Sequence, residues 1–229
     1  DGPACSMKPD PDHTEMPSVL QPSERIRQGS LPPVQLVKQS LESIKTHNPT
    51  LNAFGDVYTE SALEQAHAMT AAAEAGQIKG PLHGIPFGIK DLFSTANLRT
   101  TRGSLTGLDN VPTQDAPIIR RLKDAGAIIL GKTNVPEFGL GSQTYNTLFG
   151  TTGNAYDPSL VAGGSSGGAA VALALRMLPV ADGSDMMGSL RNPAAFNNVF
   201  GLRPSQGRVP YGPTPELFVQ QLGTEGPMG

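Results

Sequence analysis

Between Gly163 and Arg191 the chain sets two serine-bearing glycine turns on either side of a short run of small apolar residues. No other stretch restricts the fold as strongly. It opens with Gly163-Gly164-Ser165-Ser166-Gly167-Gly168, continues through Ala169 to Leu175, and closes on Asp182-Gly183-Ser184-Asp185-Met186-Met187-Gly188-Ser189-Leu190-Arg191. Glycines flanking a Ser-Ser pair let the backbone take positive φ and approach a ligand closely, which a turn facing only solvent seldom needs. The run 169–175 is small on every side, so it suits a helix buried all round against a sheet. The expected order is loop, buried helix, strand and second loop, with the helix fixing the two serine loops relative to each other.

At 229 residues, 38% hydrophobic and 16% charged, the chain suffices for one α/β domain with a core of its own. A net charge of −3 without a long basic run argues against nucleic acid as a partner. No apolar stretch has the length of a membrane-spanning helix, and no signal peptide is evident. Cys5 is the lone cysteine, which excludes an internal disulfide and makes the reducing cytoplasm the default compartment. No His or Cys cluster has metal-ligand spacing, and no cofactor is expected.

Residues 1–30 are rich in Pro, Asp, Ser and Glu and read as a loosely ordered arm, with order from about Ser30 and a catalytic domain over 31–229. Val34, Val37, Leu41 and Ile44 recur at helical spacing, and a second helix follows Thr59 and stops at Gly76. Ile85–Ile89 reads as a buried strand that carries Lys90 and Asp91 at its end, where open α/β sheets place functional groups. Asp115 is the expected N-cap of a helix bearing Ile118, Ile119 and Leu122, followed by a strand from Ala127 to Leu130. Gly126 to Thr133 also spells a phosphate-loop pattern, but its interior is itself the strand and a helix precedes it, so Lys132 is read as structural. Residues 137–168 should form a long ordered loop lining a site. Beyond Ser189, a short helix is expected at Pro193–Phe196 and a strand at Val199–Leu202. Alternating helix and strand signals predict an α/β fold: a central twisted sheet, largely parallel or mixed, covered by helices on both faces.

Gly163-x-Ser165-x-Gly167 matches the nucleophile elbow of α/β-hydrolases, but that arrangement needs a histidine after the serine, and His13, His47, His67 and His83 all precede it. A Ser-x-x-Lys motif is absent. The hexapeptide followed by Gly183-Ser184-Asp185-x-x-Gly188-Ser189-Leu190-Arg191 resembles the amidase signature family of serine hydrolases. The resemblance runs from about Val34 to Gly229. It includes Pro81-Leu82-His83-Gly84-Ile85-Pro86 leading to Lys90-Asp91, Gly131-Lys132-Thr133-Asn134, Asn154-Ala155-Tyr156-Asp157-Pro158 and Gly201-Leu202-Arg203-Pro204.

That resemblance implies hydrolysis of a carboxylic amide with Ser189 as nucleophile, Ser165 as bridging serine across a cis Gly164-Ser165 bond, and Lys90 as base. It places backbone N–H groups from Met186, Met187, Gly188 and Ser189 in an oxyanion hole, Gly139 beside the substrate channel, and Asp185 and Arg191 as braces of the nucleophile loop. Met187 departs from the glycine that most members carry there; its side chain either narrows the acyl pocket or, the preferred reading, points away. A small-molecule amide is the implied partner, with a homodimer as a further option. The alternatives are the A subunit of a glutamine-dependent aminoacyl-tRNA amidotransferase and a truncated, inactive remnant or interaction module. Family members are longer, so a C-terminal part is expected to be missing and the chain alone is expected to turn over weakly.

Overall fold

A computed structural model describes residues 19–212 and 222–229. Its helices are α1 (Leu20–Arg27), α2 (Pro33–Leu51), α3 (Thr59–Glu74), α4 (Pro117–Asp124), α5 (Gly167–Ala174) and α6 (Arg191–Phe196). Its strands are β1 (Phe54–Val57), β2 (Pro86–Lys90), β3 (Ile128–Thr133), a small hairpin of β4 (Tyr145–Asn146) and β5 (Gly150–Thr151), β6 (Val180–Asp185) and β7 (Thr224–Met228). Apart from that hairpin the strands form one five-stranded sheet of order β1-β3-β2-β6-β7. The sheet is mixed: β2 runs parallel to both β3 and β6, while β1 and β7 close the edges antiparallel.

Alternation along the central strands sorts the core into two layers. Ile128 and Leu130 pack with Val37 and Ile44 of α2, Ala62 and Ala66 of α3, and α5. Ile129, Phe87 and Ile89 point the other way, onto Ile119 of α4 and Phe93. Helices therefore cover both faces, as the sequence predicts. Burying each Ile or Leu side chain contributes about 1.5–3 kcal/mol.

Helix α5 is buried from Gly167 to Leu173. Its small residues are required by what surrounds them, since a Cβ on Gly168 would run into the backbone of Asn134 and the carbonyl oxygen of Ala53. Close approach of this kind locks α5 onto the ends of β1 and β3.

Three local expectations are corrected. Order begins before Ser30: α1 lies in the stretch assigned to the arm and buries Ile26 with Leu31 and Ile85, while residues 1–18 fall outside the described residues. Asp115 does not cap α4, whose cap residue is Ala116; its carboxylate accepts from the Ala96 N–H at 2.7 Å and from Lys123 at 2.8 Å. Residues 199–202 form only an isolated bridge, Gly201 to Met228, against a strand β7 that sequence patterning does not anticipate.

Candidate active site

Lys90 closes β2, and every residue of that strand is buried. A lysine that is 0% exposed must find its donors partners inside the protein. Its Nζ donates to Ser165 Oγ at 2.7 Å, Ser166 Oγ at 2.8 Å and Ser184 Oγ at 2.9 Å. Burial pushes its pKa down to about 7, against the pull of Asp182, Asp185 and Glu225. An amine poised there exchanges a proton readily at neutral pH.

The first serine loop is held from three sides. The Gly164-Ser165 peptide is cis, as the family resemblance implies. Gly164 lies against Gln143, whose backbone N would stand 2.8 Å from a Cβ at that position. Thr144 Oγ1 donates to the Gly163 carbonyl at 2.9 Å and accepts from the Gly167 N–H at 3.1 Å, so one hydroxyl clips the loop to the start of α5. Ser165 and Ser166 are consequently buried, and the Ser166 N–H donates to the Ser189 carbonyl at 3.2 Å, tying the two serine loops together.

The second loop leaves β6 at Asp185, whose carboxylate organises it. Asp185 accepts from the N–H groups of Gly188 (2.8 Å) and Leu190 (3.2 Å), from Arg191 Nε (2.9 Å) and Nη2 (3.0 Å), and pairs with Arg203 Nε at 3.3 Å. Burial opposes its charge, yet the Arg191 guanidinium and the N–H groups outweigh burial and hold the carboxyl at about 2. Asp185 and Arg191, the two residues expected to brace this loop, are thus joined to each other across it. Gly188, with φ +112, turns the chain where another residue would be strained.

The structure brings together some of the expected residues and separates others. Lys90 and Ser165 meet. The Ser189 hydroxyl makes no hydrogen bond among the described residues, so its link to the lysine runs through the Ser166 backbone contact. Of the four N–H groups expected to face an oxyanion, that of Gly188 is engaged by Asp185, while those of Met186, Met187 and Ser189 have no partner among the described residues. The Met187 side chain is 88% exposed. Gly139, at φ +72, ends a 3₁₀ turn and packs on Leu92, two residues past Lys90. Ser165 follows a loop and not a strand, unlike the serine of a nucleophile elbow. Lys132 donates to the Phe93 carbonyl and to Thr95 Oγ1, both at 2.6 Å, so it holds the turn after β2 and no phosphate loop is formed.

Sequence reasoning missed four participants: Ser166 and Ser184, which complete the hydroxyl cage of Lys90, and two buried acids, Asp182 and Glu225. Asp182 Oδ1 accepts the Lys90 backbone N–H at 2.6 Å. The available signal was an aspartate in the middle of Val-Ala-Asp-Gly-Ser-Asp, a strand too apolar at its start to leave that side chain in water. Among the described residues no group of three or more His, Cys, Asp or Glu side chains is arranged to hold a metal ion, and no helix is long and apolar enough to cross a membrane.

A family model described as Amidase matches residues 35–229. The chain belongs to the amidase signature family. Among its relatives it is 43% identical over 207 residues to the A subunit of the glutamyl-tRNA(Gln) amidotransferase of Rhodopirellula baltica, covering 90% of this chain and 41% of that protein. The corresponding protein of Azoarcus sp. is 46% identical over 176 residues, covering 77% of this chain and 36% of that protein. In solved structures, a bacterial aryl acylamidase of the amidase signature family superposes with a TM-score of 0.86 at 33% identity, covering 92% of this chain and 44% of that one. The chain thus spans about two fifths of the length of these curated relatives.

Proposed function

We propose that the protein hydrolyses a small carboxylic amide to an acid and an amine or ammonia through Ser189, Ser165 and Lys90. The observation that carries this reading is the fully buried Lys90 amine, 2.7 Å from the Ser165 hydroxyl, in a member of the amidase signature family. Serine is a poor nucleophile at neutral pH and needs a base to take its proton as it attacks. Ser189 Oγ bonds to the amide carbon while its proton passes to Ser165 and the Ser165 proton to Lys90. The oxygen of the tetrahedral intermediate is met by the N–H groups of Met186, Met187 and Ser189, which are free to donate. Return of the proton along the same path to the leaving nitrogen breaks the C–N bond and leaves an acyl-serine. Water then attacks the acyl carbon with the same base. The relay requires the Ser189 hydroxyl to turn onto Ser165 when substrate binds. The reducing cytoplasm suits a chain with one cysteine.

A fluorophosphonate probe should label Ser189, and Ser189→Ala should abolish both labelling and amide hydrolysis. Lys90→Ala should lose most activity, and Ser165→Ala should fall between, because water partly replaces a bridging hydroxyl. Label on Ser165 with indifference to Lys90 would overturn the assignment.

A second reading, that the chain is part of an amidotransferase A subunit releasing ammonia from glutamine for a partner, is favoured by the names of its relatives. Glutaminase activity that appears only with a co-purifying second protein would select it.

A further inference from the structure

We propose that Asp182, backed by Glu225 on the next strand, is a positioning residue for Lys90: it holds the lysine's backbone and supplies the buried negative charge against which the Nζ proton is balanced. The ladder between β2 and β6 pairs Phe87 with Val180 and Gly88 with Ala181. Asp182 follows directly, and its side chain takes the Lys90 N–H at 2.6 Å. A carboxylate thus stands beside the β2 backbone at the residue where that strand ends.

Asp182 is 1% exposed and Glu225 2% exposed, and each has one buried oxygen, Oδ2 and Oε2, without a hydrogen-bond partner. Their neighbour Asp185 shows what a purely structural acid looks like here, saturated by N–H groups and two guanidinium groups. Asp182 and Glu225 lack that saturation, and a buried acid left open in this way signals a purpose other than stability.

The charges that face Lys90 come from the two strands on one side of it. They are Asp182 and Asp185 from β6 and Glu225 from β7, with Lys132 of β3 acting on Asp182; the α5 side contributes only the hydroxyls of Ser165 and Ser166. Arg191 and Arg203 neutralise Asp185, which leaves Asp182 and Glu225 as the counter-charge. Two buried carboxyls on adjacent strands, each with an unpartnered oxygen and with Tyr211 also facing Glu225, resist double ionisation. Asp182 has the Lys90 N–H and nearby Lys132 in its favour, so it takes the charge first. Burial raises Asp182 to about 7 and Glu225 to about 8, in line with that order and close to Lys90 at about 7. A fully buried lysine without such a charge would lose its affinity for the proton that a base must accept.

The catalytic consequence rests on the amidase reading; the titration does not. In the protein carrying this chain, the Lys90 ¹³Cε resonance, assigned by its loss in Lys90→Met, should titrate near neutrality. Asp182→Asn, which keeps an acceptor for the Lys90 N–H, should move that midpoint to lower pH by about half a unit or more. A midpoint that stays put or rises in the folded variant overturns the inference, as does stability loss alone. Should the variant not fold, the Asp182 carboxyl ¹³C of the unaltered protein decides: an acid already ionised at the pH where Lys90 titrates, or ionising in step with it, supports the inference, and one that stays protonated throughout the Lys90 titration refutes it. A Lys90 midpoint that moves while the acid limb of kcat/KM stays fixed would sustain this inference and remove Lys90 as the base.

Discussion

Lys90 combines three hydroxyl partners with full burial, and its role depends on what a side chain can do without water. A neutral amine still accepts a proton, whereas a guanidinium never releases one. Lys90→Arg should therefore lower kcat by about 10²–10⁴-fold, as removal of a general base does, while the chain stays folded by circular dichroism. Because the base must be deprotonated, kcat/KM should rise with pH through about 7, the value to which burial brings Lys90. A rate limb unrelated to that value would detach Lys90 from the chemistry. Lys90 and Ser165 as neighbours, and Asp185 and Arg191 as a pair, were legible in the sequence, through motifs whose order is that of the family. Ser166, Ser184, Asp182 and Glu225 were not, because what gives them a role is the adjacency of β2, β6 and β7, and spacing along one strand does not reveal its neighbours.

Helix α5 works as an element by being thin. At Gly168 a methyl group would collide with backbone on two sides, whereas at Gly76, past the end of α3, nothing lies within 4 Å of a Cβ. Gly168→Ala should destabilise the protein by about 1–3 kcal/mol or more, the range for overpacking. Gly76→Ala should cost about 1 kcal/mol, from its φ of +71 alone. Urea midpoints of the two variants test the contrast, and equal midpoints would show that α5 can shift. Helices α2, α3 and α5 were legible because apolar period and small-residue content both pointed to them. Strand β7 was hidden: Thr-Glu-Gly-Pro-Met contains three poor strand formers. It forms because β6 offers an antiparallel edge, and Pro227 fits where its neighbour on the far side is only a single bridge.

At the scale of the whole molecule, two lysines and two acids lie buried in one sheet, and the signs of their shifts oppose each other. Burial lowers Lys90 to about 7 and Lys132 to about 8. Against an unfolded value near 10.4, unfolding takes up protons between these limits, so their contribution to stability rises with pH there. Asp182 and Glu225 are raised to about 7 and about 8. Against unfolded values near 4, unfolding releases protons below those limits, so their contribution falls as pH climbs toward neutrality. Tm should accordingly decline from about pH 5 to pH 7 and recover by about pH 9, and Asp182→Asn should flatten the acid-side decline. A Tm profile with its maximum at neutral pH would count against this buried quartet.

The contacts that assemble the Lys90 cage join residues far apart in the chain: 75 positions separate Lys90 from Ser165, and 92 separate it from Asp182. Pairings of such range form late in folding, after local helices are in place. Far-UV circular dichroism should therefore recover before fluorophosphonate reactivity when the protein is refolded from urea. On the amidase reading, a half-folded molecule has its lysine still in water, protonated and apart from the serines, so it is chemically silent toward the amides around it. Acylating power, on this view, is a certificate of completed folding, issued only when β6 has docked beside β2.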